Sequence, residues 1–229
     1  MTRARPAVVA GSTLPRSLFD DVSTDVAPAL LGCVIEHQTA EGVVAIRLTE
    51  VEAYRGELDP ASHAFRGQTK RNSVMYGEPG HVYVYFTYGM HFCANLVCEP
   101  AGTASAVLLR AGEVVDGVEL ATMRRRGAVA RDLARGPARL VEALGLSRDD
   151  NGRDACDPAS TLHVRAGEPA PERIVREGPR VGVAAAAEVA WRFWLDGEPT
   201  VSIYRPHLAR RRSPNPATPH TPDTQGFQA

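Results

Sequence analysis

"HVYVYFTYGMHFCAN", residues 81–95, sets two apolar-rich runs on either side of Gly89 and reads as a β-hairpin. Alternation along its first strand puts Tyr83 and Tyr85 on one face and Val82, Val84 and Phe86 on the other. Tyr88 precedes the turn glycine, where a side chain can project beyond the sheet. Three of the chain's six tyrosines stand in this stretch, and Tyr54 and Tyr76 lie just upstream. Rings at two depths fit a platform on which bases stack, with a wedge at its rim. They fit equally well a hairpin whose tyrosines merely cover a core. Asn95, on the return strand, is placed to offer a hydrogen bond into the same space.

Around the hairpin the pattern is that of a mixed domain. "VVAIRLTEVEAY" (43–54) is rich in β-branched residues and reads as a strand, as does "SAVLLRAGEV" (105–114). Short strands are predicted at "RVGV" (180–183) and "TVSIYR" (200–205). Helices are predicted over residues 13–22, 116–126 and 137–146, the last opening on Pro137, and over 23–32. In that last segment Ser23 or Thr24 would cap the start and Gly32 would end it. Residues 55–80 are polar and punctuated by Gly and Pro, a loop long enough to be functional or disordered. The expectation is one α+β domain on a mostly antiparallel sheet, spanning residues 1–205 with the first dozen or so flexible. Residues 206–229 are expected to form a Pro-rich disordered tail.

Composition narrows the function classes. With 44% hydrophobic and 23% charged residues, the 229-residue chain is globular and long enough for a real core. It holds no apolar run fit to cross a bilayer and no secretory h-region, so the expected location is cytoplasmic. Cys33, Cys93, Cys98 and Cys156 make no ligand spacing, so no metal and no cofactor are expected. A net charge of −1 does not announce a nucleic-acid binder, yet six arginines against Asp132 within residues 121–140 permit a basic face.

Four groups of residues carry possible chemistry. Extended geometry aligns Glu50, Glu52 and Tyr54, continuing the face of Val44, Ile46 and Leu48. Carboxylates at the margin of an apolar face suit a general base, or belong to a solvated strand end. "DPASHAFRGQTKRN" (59–72) sets His63, Arg66, Lys70, Arg71 and Asn72 in one loop, where clustered donors can hold phosphates. The hairpin is the third group. Arg110 closes the apolar run "AVLLRA" and calls for a carboxylate or phosphate partner.

Together these segments resemble the alkyladenine (3-methyladenine) DNA glycosylases of the mammalian type. The matching run is "EVEAYRGELDPASHAFRGQTKRNSVMYGEPGHVYVYFTYGMHFCANLVC", followed by "AVLLRA", "GPARLVEALGL", "GPRVGV" and "WRF…VS". The resemblance implies base excision repair in duplex DNA by a single domain whose hairpin inserts into the minor groove. By position, Glu52 would activate the attacking water and Arg110 would help to hold that water and the nucleotide backbone. Tyr54, His63 and Tyr85 would stack on the flipped purine, Asn95 would meet its edge and disfavour guanine, and Tyr88 would be the wedge. Lys70 stands where the family usually has proline, Arg135 where a small polar residue is more common, and Ala190 where proline is expected before Trp191. The chain has one lysine among its 26 lysine and arginine residues, so a water-using enzyme without a lyase step is expected, acting as a monomer. A nucleosidase acting on free nucleosides and a silent module for distorted DNA are the rival expectations.

Overall fold

A computed structural model of the chain describes residues 9–87, 89–167 and 174–207. Its central element is β2 (Gly42–Tyr54), whose β-branched content suits a strand buried on both faces. Three strands pair with it, all antiparallel. β1 (Val34–Thr39) lies along its first half, β8 (Arg192–Leu195) along Glu50–Glu52, and β5 (Ala106–Asp116) along most of its length. β5 carries β4 (His91–Val97), which carries β3 (Val82–Thr87). β6 (Leu162–Arg165) extends the sheet from β1, and β7 (Val175–Gly178) extends it from β8. The result is a curled sheet of eight strands with three helices among the described residues, a single α+β domain.

Those helices, α1 (Ser23–Leu30), α2 (Val118–Arg124) and α3 (Pro137–Leu144), bury their apolar sides on one face of the sheet. Val26 and Leu30 of α1 and Leu140 and Val141 of α3 join one cluster with Val51, Ala53, Val82, Val84, Leu96, Val107 and Leu109. Each large aliphatic side chain buried there contributes about 1.5–3 kcal/mol. The residues between these positions, among them Glu52, Tyr83, Tyr85, Asn95 and Arg110, therefore face the other side. A smaller cluster of Ala64, Met75, Tyr83, Val97, Ala104 and Ala106 lies under residues 55–80 there.

Several expectations are corrected. Glu50, Glu52 and Tyr54 share a side, but not that of Val44, Ile46 and Leu48. The β2–β5 register slips on both sides of Glu50, and this bulge turns the second half of the strand over. Glu50 and Glu52 are fully buried rather than at a solvated end. Residues 13–22 make only a 3₁₀ turn at Arg16–Leu18, just after Pro15. The helix of α1 starts at Ser23 with Val22 at the N-cap and so no side-chain cap, and the Ser23 hydroxyl instead donates to the Tyr54 carbonyl at 3.0 Å.

"RVGV" and "TVSIYR" are not strands, and one amide of each serves a carboxylate instead of a ladder. The Val181 N–H donates to Glu52 and the Ser202 N–H to Glu50. The loop of residues 55–80 is held by 3₁₀ turns at Gly56–Leu58 and Ser73–Tyr76. Gly56, at φ 55°, lets it leave β2, because a Cβ there would lie 2.0 Å from the Ala104 carbonyl oxygen. The expected wedge Tyr88 and most of the expected tail, residues 208–229, lie outside the described residues, as do residues 1–8.

Candidate active site

The side of the sheet away from the helices carries a cavity of about 70 Å³ lined by Tyr54, Ala61, Ser62, His63, Met75, Tyr85 and Asn95. It opens toward a cleft of about 490 Å³ that Arg110, Cys93, Val181 and Gly182 also line. β2 supplies Tyr54, β3 supplies Tyr85, β4 supplies Asn95, and the loop brings His63 over them. The four expected base-binding residues thus surround one space.

Their rings are mutually supported. His63 meets Tyr85 edge-on with centroids 4.6 Å apart, and Tyr83 stacks behind Tyr85 at 5.4 Å with planes 24° apart. The Tyr83 hydroxyl lies 3.5 Å from His63 Nδ1. Tyr83 is buried and does not line the cavity, so it braces the platform. Desolvation and the nearby Arg71 charge lower the His63 pKa below its ordinary value, which favours the neutral imidazole. Burial, then Glu52 and Tyr85, push the Tyr54 phenol well up, so it remains a hydroxyl donor. Asn95 is 6% exposed, and its buried Oδ1 has no hydrogen-bond partner in the protein. An unpaired buried acceptor beside a cavity is what a ligand with a donor edge would satisfy.

Glu52 lies between Tyr54 and Arg110. One carboxylate oxygen accepts from the Val181 amide at 2.7 Å and the other from the Tyr54 hydroxyl at 2.9 Å. The Arg110 Nη1 stands 3.3 Å away. The oxygen that accepts from Tyr54 keeps lone-pair capacity for a water. Glu50 holds Arg110 in place: its Oε1 accepts from Arg110 Nε at 2.8 Å and from Arg192 Nε at 2.6 Å. The Ser202 amide adds a bond of 2.6 Å to its other oxygen. Burial alone would raise the Glu50 pKa, but Arg110 and Arg192 outweigh it and the pKa is lowered. Burial likewise opposes the Arg110 charge, and Glu52 with Glu50 raises its pKa nonetheless.

The expected phosphate-binding loop divides in two. Arg66, Lys70 and Arg71 are exposed, with Arg71 donating to the Phe86 carbonyl at 3.2 Å. Asn72 is buried and spends its amide inside the loop, donating to the His63 and Gly67 carbonyls and accepting from Thr69. Its side chain shapes the loop and is not turned toward solvent. Four of the six arginines of residues 121–140 pair with acids: Arg124 with Glu41, Arg125 with Glu142, and Arg131 and Arg135 with Asp132. Arg135 and Arg139 nevertheless join Arg110 and Arg205 around a basic cleft of about 310 Å³ beside the site.

Sequence reasoning missed Asp59, Arg180 and Arg192, which hold the site from behind. Arg180 grips Asp59 with contacts of 2.5 and 2.9 Å while its guanidinium rests on the Tyr54 ring. Arg180 and Arg192 sit in the quoted runs "GPRVGV" and "WRF", but nothing along the chain names their partners. Among the described residues no group of three or more His, Cys, Asp or Glu side chains could hold a metal ion. None of the described helices is long and apolar enough to cross a membrane.

On this α+β domain a buried carboxylate paired with an arginine lies beside an aromatic pocket with one unpaired amide oxygen, a candidate site for hydrolysis. The family model for methylpurine-DNA glycosylase matches residues 17–199. The chain is 55% identical over 202 residues to a protein of Streptomyces avermitilis, covering 87% of this chain and 95% of that one. A protein of Leifsonia xyli is 56% identical over 203 residues, covering 85% and 93%. One of Mycobacterium tuberculosis is 49% identical over 182 residues, covering 77% and 86%. Each is named "Putative 3-methyladenine DNA glycosylase". The chain belongs to the methylpurine-DNA glycosylase family: it is a DNA-repair hydrolase of the N-glycosidic bond.

Proposed function

We propose that the protein releases alkylated or deaminated purines, 3-methyladenine among them, from duplex DNA in one hydrolytic step that leaves an abasic site. It approaches through the minor groove as a monomer, in the cytoplasm at the nucleoid, and extrudes the damaged nucleotide into the pocket. Extrusion costs about a few kcal/mol in lost stacking, which Tyr88 offsets by filling the gap. Tyr54, His63 and Tyr85 stack on the base, and Asn95 meets its edge, where the exocyclic amino group of guanine would clash. Alkylation makes the purine cationic, which strengthens stacking on tyrosine rings and weakens the glycosidic bond. Glu52 draws the proton from the attacking water and its charge stabilises the oxocarbenium-like transition state. Arg110 holds that water and the nucleotide backbone. Arg66, Lys70 and Arg71 contact neighbouring phosphates, on the loop that Asn72 shapes.

The observation that carries this reading is the Glu52 carboxylate, fixed by Val181, Tyr54 and Arg110 beside a pocket whose Asn95 oxygen is unpaired. The absence of a lyase step is supported by the sole lysine, Lys70, standing exposed in a basic loop, since arginine forms no Schiff base. The test is base release from an alkylated duplex by wild type and Glu52→Gln at low and high salt. The variant is expected to lose release and keep binding, with binding that weakens steeply as salt rises. Undiminished release by Glu52→Gln would overturn the role of Glu52. Borohydride trapping is expected to give no covalent adduct, and an adduct would overturn the one-step mechanism. Equal release from a free modified nucleoside would point to a nucleosidase.

A further inference from the structure

Behind Tyr54 lies a buried ion pair that the proposed chemistry does not use. Arg180 and Asp59 have no exposed side-chain surface, and the Arg180 Nε has no partner. Asp59 also accepts from the Arg55 and Ala61 amides at 3.3 and 3.0 Å, which ties the loop carrying His63 to this pair. The Arg180 guanidinium carbon stands 4.7 Å from the Tyr54 ring centroid and 5.1 Å from that of Trp191. Tyr54 lines the cavity and Arg180 does not, so the cation touches the ring from the protein side.

A cation on one face of an aromatic ring draws π density toward itself, and the opposite face then attracts a second cation less strongly. We propose that Arg180 is a specificity-determining residue: it weakens the hold of Tyr54 on cationic purines and so narrows their advantage over neutral ones. The opposite charge of Asp59, paired to Arg180, limits that effect. A pocket of bare tyrosines would favour charged, alkylated bases strongly; one backed by this pair accepts a neutral deaminated purine on more equal terms. The inference rests on Tyr54 stacking against the extruded base.

The experiment compares single-turnover release of 3-methyladenine, a cation in DNA, with that of hypoxanthine, a neutral base, from otherwise identical duplexes. The readout is the ratio of the two rates, which a uniform loss of folded protein does not move. Arg180→Gln removes the cation and is expected to raise the ratio about threefold to tenfold. Asp59→Asn leaves the cation unopposed and is expected to lower it. Arg180→Gln/Asp59→Asn puts two neutral amides in place of the ion pair and keeps the test open if a single variant does not fold; it is expected to raise the ratio modestly. An unchanged ratio in every folded variant, or a shift of the same sign in both single variants, would reduce the pair to structural support. If the wild type releases neither base, it is the reading of the pocket that fails.

Discussion

On the helix-covered face of the sheet, alternate positions of β2 to β5 carry Val51, Ala53, Val82, Val84, Leu96, Val107 and Leu109, all in one apolar cluster with residues of α1 and α3. On the other face the intervening positions carry Glu50, Glu52, Tyr83, Asn95 and Arg110, nearly as well buried, and the half-buried Tyr85. One face is held by interchangeable apolar area. The other is held by specific polar pairings, in which each partner is costly to remove. The difference teaches where function can reside: buried charges and an unpaired amide persist where a ligand or reaction uses them, while the opposite face carries stability.

The contrast can be tested residue by residue. Glu52→Gln should slow base release about 10²–10⁴-fold, the range for loss of a general base, with the fold retained by circular dichroism. Glu50→Gln strands Arg110 and Arg192 and should destabilise the protein by about 3–5 kcal/mol in urea unfolding. The lowered pKa of Glu50 sets the pH dependence: its stabilising charge is complete above its ordinary value of 4.5 and is lost as pH falls through the lower folded value. The wild type should therefore lose stability below pH 4.5, and Glu50→Gln should flatten that slope. Leu109→Ala on the helix face should cost about 2–5 kcal/mol of stability while release per folded molecule is unchanged; slower release would erase the division between faces. Tyr85→Ala should weaken the transition-state complex by about 1–3 kcal/mol, read as kcat/KM, with little change in melting temperature.

Much of this was legible along the chain. Alternation in residues 82–86 assigned Tyr83 and Tyr85 to one face and Val82 and Val84 to the other, as observed. Pro137 marked the start of α3, and "VVAIRLTEVEAY" marked β2. What failed did so for identifiable reasons. The bulge around Glu50 has no residue signature in "LTEVE", so the change of side was invisible. β1, β6, β7 and β8 are short and partly charged, and they gain their strand geometry from neighbours distant in sequence. Residues 180–183 and 200–205 have strand composition but give amides to Glu52 and Glu50, a preference only the assembled site creates.

The sequence by itself determined the family, the periodic apolar face and the residue types at the site, because these depend on local spacing and on runs of residues in order. Only the tertiary structure decided that Glu50 holds Arg110 while Glu52 is held by Val181 and Tyr54 beside the pocket, that Asn72 turns inward, and that Arg180 rests on Tyr54. The physical reason is the separation of the partners. Glu50 and Arg192 lie 142 positions apart, and Asp59 and Arg180 lie 121 apart. Pairings at that range are fixed by how the sheet curls and where β2 slips, which no local pattern records.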